Sequence, residues 1–164
     1  MKRGKPSPRP WLTAARGGRY ATSVKRLELT RIRTCKRCGR GSAEFASADG
    51  DRLVVPLDPV RTRQLTGGAI AGDVPSLTDV VLERLAAANV VPSEIVLDIV
   101  DGKLCGLVSL GGTDGDVVAC TADEAVALAL RGDIRLYASE DALAATRPPA
   151  PKRAGGTGGT GTIH

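Results

Sequence analysis

The stretch VVACTADEAVALALRG, residues 117–132, decides how the fold is read. It opens with a short apolar run of strand character, Val117 to Cys120, and continues into Ala125 to Leu130, an unbroken run of helix-compatible Ala, Val and Leu. Between the two stand Thr121 and, three residues on, Glu124, the spacing of a capping box that closes the first turn of a helix. Gly132 follows where a helix end favours a left-handed residue. A strand running directly into a capped apolar helix is a unit of mixed α and β architecture, and the sequence on either side repeats the theme.

Upstream, strands are predicted over residues 95–100 and 104–110. The turn at 111–115 leads from them into Val117, which makes a three-strand meander. Residues 24–34 also read as a strand, but Leu27 and Leu29 point one way and Ile32 falls out of phase, so a bulge is expected. Residues 43–48 form the next strand, and Asp49-Gly50 turns the chain into the clean alternation of Leu53, Val55 and Leu57. Asp58 as N-cap and Pro59 in the first turn predict a short helix over 60–65, ended by Gly67. Ser76 and Asp79 make a second capping box, and Leu77, Val81, Leu85 and Ala88 then lie on one helical face as far as Asn89. A strand at 134–137 and a helix capped by Ser139 and running to Ala145 close the pattern. The fold class is therefore α+β, with duplicated strand-strand-strand-helix units that share hardly any residue identity.

The chain has 164 residues, enough for one core, with 42% hydrophobic and 25% charged residues. No run approaches the length of a membrane span, and the first 20 residues hold no apolar signal segment, so the expected setting is cytoplasmic with reduced cysteines. Aromatic residues are only 2%, which removes a base-stacking platform. The single histidine is His164, so catalytic triads and paired-histidine acid/base chemistry are excluded. The net charge of +5 is unevenly spread: residues 1–40 hold 13 Lys/Arg against Glu28 alone, whereas residues 41–145 hold 7 against 17 acids. An acidic body at 41–145 thus follows a basic lead, and the chain divides into a basic arm at 1–22, a domain at 24–145 and a Pro/Gly/Thr-rich tail at 146–164, the arm and tail both read as disordered. Basic arms are ordinarily handles for nucleic acid, although a merely solubilising role is open.

Three segments together resemble the bifunctional nuclease (BFN) domain family: DRLVVPLDP at 51–59, PSLTDVVL at 75–82 and DEAVALALR at 123–131. The ending IRLYASEDAL at 134–143 is similar to that family's closing strand and helix. The resemblance spans most of the chain and implies a compact α+β domain that self-associates and hydrolyses RNA and DNA. It departs at one motif, because Thr121-Ala122-Asp123-Glu124-Ala125 stands where the family reads Arg-Pro-Ser-Asp-Ala. An arginine there would hold a phosphate bidentately, and a threonine offers one neutral hydrogen bond.

Without a usable imidazole, phosphodiester hydrolysis calls for carboxylates and a divalent ion, Mg²⁺ or Mn²⁺. The candidates are Asp98, Asp101, Asp123 and Glu124. Asp123 and Glu124 also read simply as first-turn acids of a helix, and Asp98 and Asp101 as solvated strand-end acids. Candidate nucleic-acid contacts, to RNA or DNA, are Arg31, Arg33, Lys36, Arg37, Arg40, Arg61 and Arg63. Cys35-Lys36-Arg37-Cys38-Gly39 has the spacing of a zinc knuckle, and Cys105 and Cys120 lie symmetrically about their hairpin turn. Together they offer four thiolates for structural Zn²⁺, or else behave as loop thiols and small buried residues. The competing function is a self-associating, non-catalytic module that binds nucleic acid or a ribonucleoprotein.

Overall fold

The structure, a computed structural model, describes residues 23–67, 75–111 and 116–146. The basic arm, nearly all of the tail and most of the turn at 111–115 lie outside these residues. The fold is α+β: a seven-stranded sheet in the order β3-β2-β1-β7-β4-β5-β6, with four helices among the described residues. One meander comprises β1 (Val24–Thr34), β2 (Gly41–Ser47) and β3 (Arg52–Leu57), and the other β4 (Pro92–Val100), β5 (Lys103–Leu110) and β6 (Asp116–Thr121). Strand β7 (Arg135–Ser139) lies between them, antiparallel to β1 and parallel to β4. The helices are α1 (Pro59–Leu65), α2 (Leu77–Ala87), α3 (Ala122–Gly132) and α4 (Glu140–Ala145).

The expected bulge in β1 is present and has a clear purpose. Leu29 pairs with Phe45 and Arg31 with Glu44, so Thr30 is the extra residue. The inserted residue shifts the alternation by one, so Leu27, Leu29 and Ile32 share the face of Ser47, Phe45 and Ala43, with Leu29 at its margin and 41% exposed. That side also receives Phe45, Leu53, Val55, Ile95 and Leu97, all essentially buried.

Helix α3 is the centre of the molecule. Ala125, Val126, Ala127 and Ala129 are buried, and α3 touches β3 at one end of the sheet order and β5 near the other, so the sheet wraps around it. A helix apolar on most sides must be covered on most sides, and α1 and α2 pack on the face the sheet leaves free. Small residues make this approach possible. A Cβ on Gly106 would lie 2.1 Å from that of Ala125, and one on Gly41 would lie 2.7 Å from the Thr62 hydroxyl of α1. Gly132 is the last residue of α3 rather than its left-handed stop, a role taken by Asp133 at φ 51°. Its missing side chain instead leaves room for Leu82 and Ile134.

The expected apolar face of α2 is not in the core. Leu77 is 63% exposed and Val81 37%, while the small polar Thr78 is buried. Helical spacing identifies a face but not what covers it. Among the described residues no helix is long and apolar enough to cross a membrane.

Candidate functional site

The exposed face of α2 forms one wall of a groove of about 260 Å³. Leu77, Val81 and Leu85 face Val108, Leu110 and Val118 of the sheet across it, with Leu128 of α3 beside them. At one end the lining turns polar with Arg61 and Glu124. The local sequence explains how these two side chains arrive. Asp58 accepts the Arg61 N–H at 2.7 Å and starts α1, while Thr121 starts α3, with its N–H donating to Glu124 Oε2 at 3.1 Å. Both helices begin at strand ends, so both present their first turns to the same corner.

Arg61, a candidate phosphate contact, has a side chain that is only 11% exposed. Its Nη1 donates to Gln64 Oε1 at 3.1 Å and to Thr78 Oγ1 at 3.3 Å, and Nη2 lies 3.6 Å from Glu124 Oε1. Its Nε is buried without a hydrogen-bond partner among the described residues. The guanidinium therefore keeps unused donor capacity beside a carboxylate that is 39% exposed. Arg63, two residues on and so on the other side of α1, is exposed and donates to the Pro59 carbonyl at 3.3 Å.

The four candidate carboxylates do not converge. Asp123 and Glu124 do stay together, the Thr121 hydroxyl lying 2.6 Å from Asp123 and 2.8 Å from Glu124. Asp98 follows the alternation of β4 to the face opposite Ile95 and Leu97, where the Ser139 hydroxyl donates to it at 2.5 Å. Ser139 in turn accepts the Ala142 N–H, so Asp98 buttresses the cap of α4. Asp101 occupies the left-handed position of the tight β4–β5 turn, next to Gly102. Among the described residues no three His, Cys, Asp or Glu side chains come close enough to hold a metal ion.

The four thiols do not converge either. The register pairs Cys105 with Thr121 and Cys120 with Gly106, one residue away from the symmetric pairing expected from the sequence. A one-residue offset sends the two thiols to opposite faces of the sheet. Burial, then the negative charge of Glu124, Cys105 and Asp123, pushes the Cys120 thiol up to about 12. A thiol so raised reacts slowly as a nucleophile near neutral pH. Cys35 and Cys38 are exposed at the β1–β2 turn, and Cys35 is held below the usual thiol range by hydrogen bonds from the Cys38 thiol and the N–H groups of Cys38 and Arg37.

Around this turn lie most of the basic candidates. Arg31 and Arg33 both engage Glu44, the Arg31 Nε donating at 2.7 Å, yet each keeps half or more of its side chain exposed. Lys36, Arg37 and Arg40 are exposed and make no ion pair among the described residues. A Cβ on Gly39 would lie 3.5 Å from that of Pro59, so the turn sits against the start of α1, two residues before Arg61. No protein-family model matches the chain, and no curated protein is found to match it. Sequence reasoning missed the burial of Arg61 and its pairing with Glu124. The two residues are 63 positions apart, and no local signal links them.

Proposed function

We propose that this chain is a BFN-like domain that binds nucleic acid through its basic leading strand and hairpin. In this reading it hydrolyses phosphodiester bonds where Arg61 meets Glu124, beside Asp123. The observation that carries the proposal is the 3.6 Å approach of Arg61 Nη2 to Glu124 Oε1. It brings a guanidinium from α1 beside the first turn of α3, the turn in which the resembled family carries its arginine. An exposed carboxylate can take the proton of an attacking hydroxyl or water, and an adjacent guanidinium can offset charge gathering on the phosphorus oxygens. Lys36, Arg37 and Arg40 reach out from the turn packed on α1 and would hold flanking phosphates.

Mg²⁺ is ordinarily held by one or two carboxylates together with substrate phosphates, and Asp123 and Glu124 fit that protein share. Bound there, Mg²⁺ or Mn²⁺ would polarise a phosphoryl oxygen. Asp98 and Asp101 have no part in this site. The two meanders, each followed by helix, support the reading of duplicated strand-strand-strand-helix units, and the exposed Leu77 and Val118 agree with the self-association the resemblance implies.

The test is cleavage of end-labelled single-stranded RNA and DNA with Mg²⁺, Mn²⁺ or EDTA. Arg61→Lys and the double variant D123N/E124Q should each lower the rate at least tenfold while leaving binding within a fewfold. The second reading, a binding module without catalysis, is favoured by the engagement of both carboxylates with Thr121 at the helix start. Salt-sensitive binding with no cleavage under any metal condition would establish that reading and overturn the hydrolase.

A further inference from the structure

The β1–β2 turn is built as half of a metal site. The Cys35 N–H donates to the Arg40 carbonyl at 2.7 Å, and the Gly39 N–H donates to the Cys35 carbonyl at 2.8 Å. Gly39 takes the left-handed conformation at φ 71°, which lets the turn close on the Cys35 carbonyl. This closed turn, with two cysteines at the spacing of a zinc knuckle and both exposed, has the form that two adjacent ligands of a tetrahedral zinc ion require.

Among the described residues the same chain does not supply the other two ligands. It contains four cysteines and one histidine, His164. Cys105 and Cys120 diverge to opposite faces of β5 and β6. No third Cys, His, Asp or Glu joins the turn among the described residues. Structural zinc sites are nearly always four-coordinate and closed, so a preformed two-thiolate half has a strong reason to take a second half from elsewhere.

We propose that Cys35 and Cys38 from two copies of this chain together form one four-thiolate zinc site. Two identical turns meet about a two-fold axis, the commonest symmetry of homo-oligomers, and each gives two thiolates. Four thiol protons leave to solvent as one Zn²⁺ enters. The charges agree with this occupant. Zinc with four thiolates carries a net charge of −2, and each turn brings Lys36, Arg37 and Arg40 around it. Without the ion, two such cationic turns would repel one another. With it, they surround an anionic centre, and the two basic hairpins are fixed side by side. The proposal stands independently of catalysis at Arg61 and Glu124.

The experiment titrates the purified, reduced, metal-free full chain with Co²⁺ and then Zn²⁺. The expected result is the visible spectrum of a tetrahedral tetrathiolate cobalt site, saturating at one metal per two chains and bleached by Zn²⁺. Cys35→Ser and Cys38→Ser should each abolish the tetrathiolate spectrum, whereas Cys105→Ser should leave both stoichiometry and spectrum unchanged. Circular dichroism of the variants checks that the fold persists. Light scattering should report an even number of chains in the zinc-loaded protein. Saturation at one metal per chain, a mixed oxygen and sulfur spectrum, dependence on Cys105, or no tetrahedral cobalt spectrum would each overturn the proposal.

Discussion

Two cysteines of this chain differ sharply in their chemistry because their surroundings differ. Cys35 accepts hydrogen bonds at an exposed turn, and Cys120 sits in a half-covered groove near Glu124 and Asp123. Alkylation at about pH 8 should therefore label Cys35 well before Cys120, as read by peptide mass spectrometry, since only the thiolate reacts quickly. Equal labelling of the two would contradict the groove. Asp79 supplies a prediction in pH. The Ser76 hydroxyl, and after it Arg131, holds the Asp79 carboxyl below the usual carboxylate range. A carboxylate depressed in the folded state contributes stability that is complete above its unfolded pKa and is lost as pH falls through the folded value. Asp79→Asn should lower stability at neutral pH and flatten its decline below about pH 4, measured as denaturant midpoints across that range. The Ser76–Asp79 box was legible in the sequence, being four residues long. The grip of Arg131 on Asp79, 2.6 Å from Nη2 to Oδ1, was not, because it joins helices that are distant in the chain.

Between elements, small residues decide how closely the layers approach. Gly106→Ala would drive a methyl group into Ala125, and the contact is backbone-borne on both sides, so neither can swing away. A loss of about 1–3 kcal/mol is expected from overpacking, with part of it recovered in G106A/A125G. Additive losses in the double variant, measured by urea unfolding, would show that the two sites are uncoupled. Ser76→Ala should cost about 1 kcal/mol through the lost cap of α2. The strands and caps were readable because hydrophobic alternation and capping are local in sequence. The exposure of Leu77 and Val81 was not readable, since helical periodicity carries no information about the partner of a face.

At the scale of the molecule, β7 carries the connection between two otherwise separate meanders. It alone pairs with both β1 and β4, so the seven strands form one sheet only through its five residues. A chain ending at Asp133 should fail to show a single cooperative unfolding transition, because both meanders then expose an unpaired edge. Retention of one sharp transition by calorimetry would mean that α3 alone unites the halves. The sequence by itself determined the α+β class, nearly every strand and helix, the bulge in β1 and the capping residues, all of which depend on patterns within a dozen positions. It also singled out Asp123, Glu124, Cys35 and Cys38, neighbours in the chain that remain neighbours in space. Only the tertiary structure decided that Asp98 and Cys105 face away from their supposed partners, and that Arg61 meets Glu124. Those relations depend on sheet register and helix docking, where a shift of one residue reverses the side a group faces.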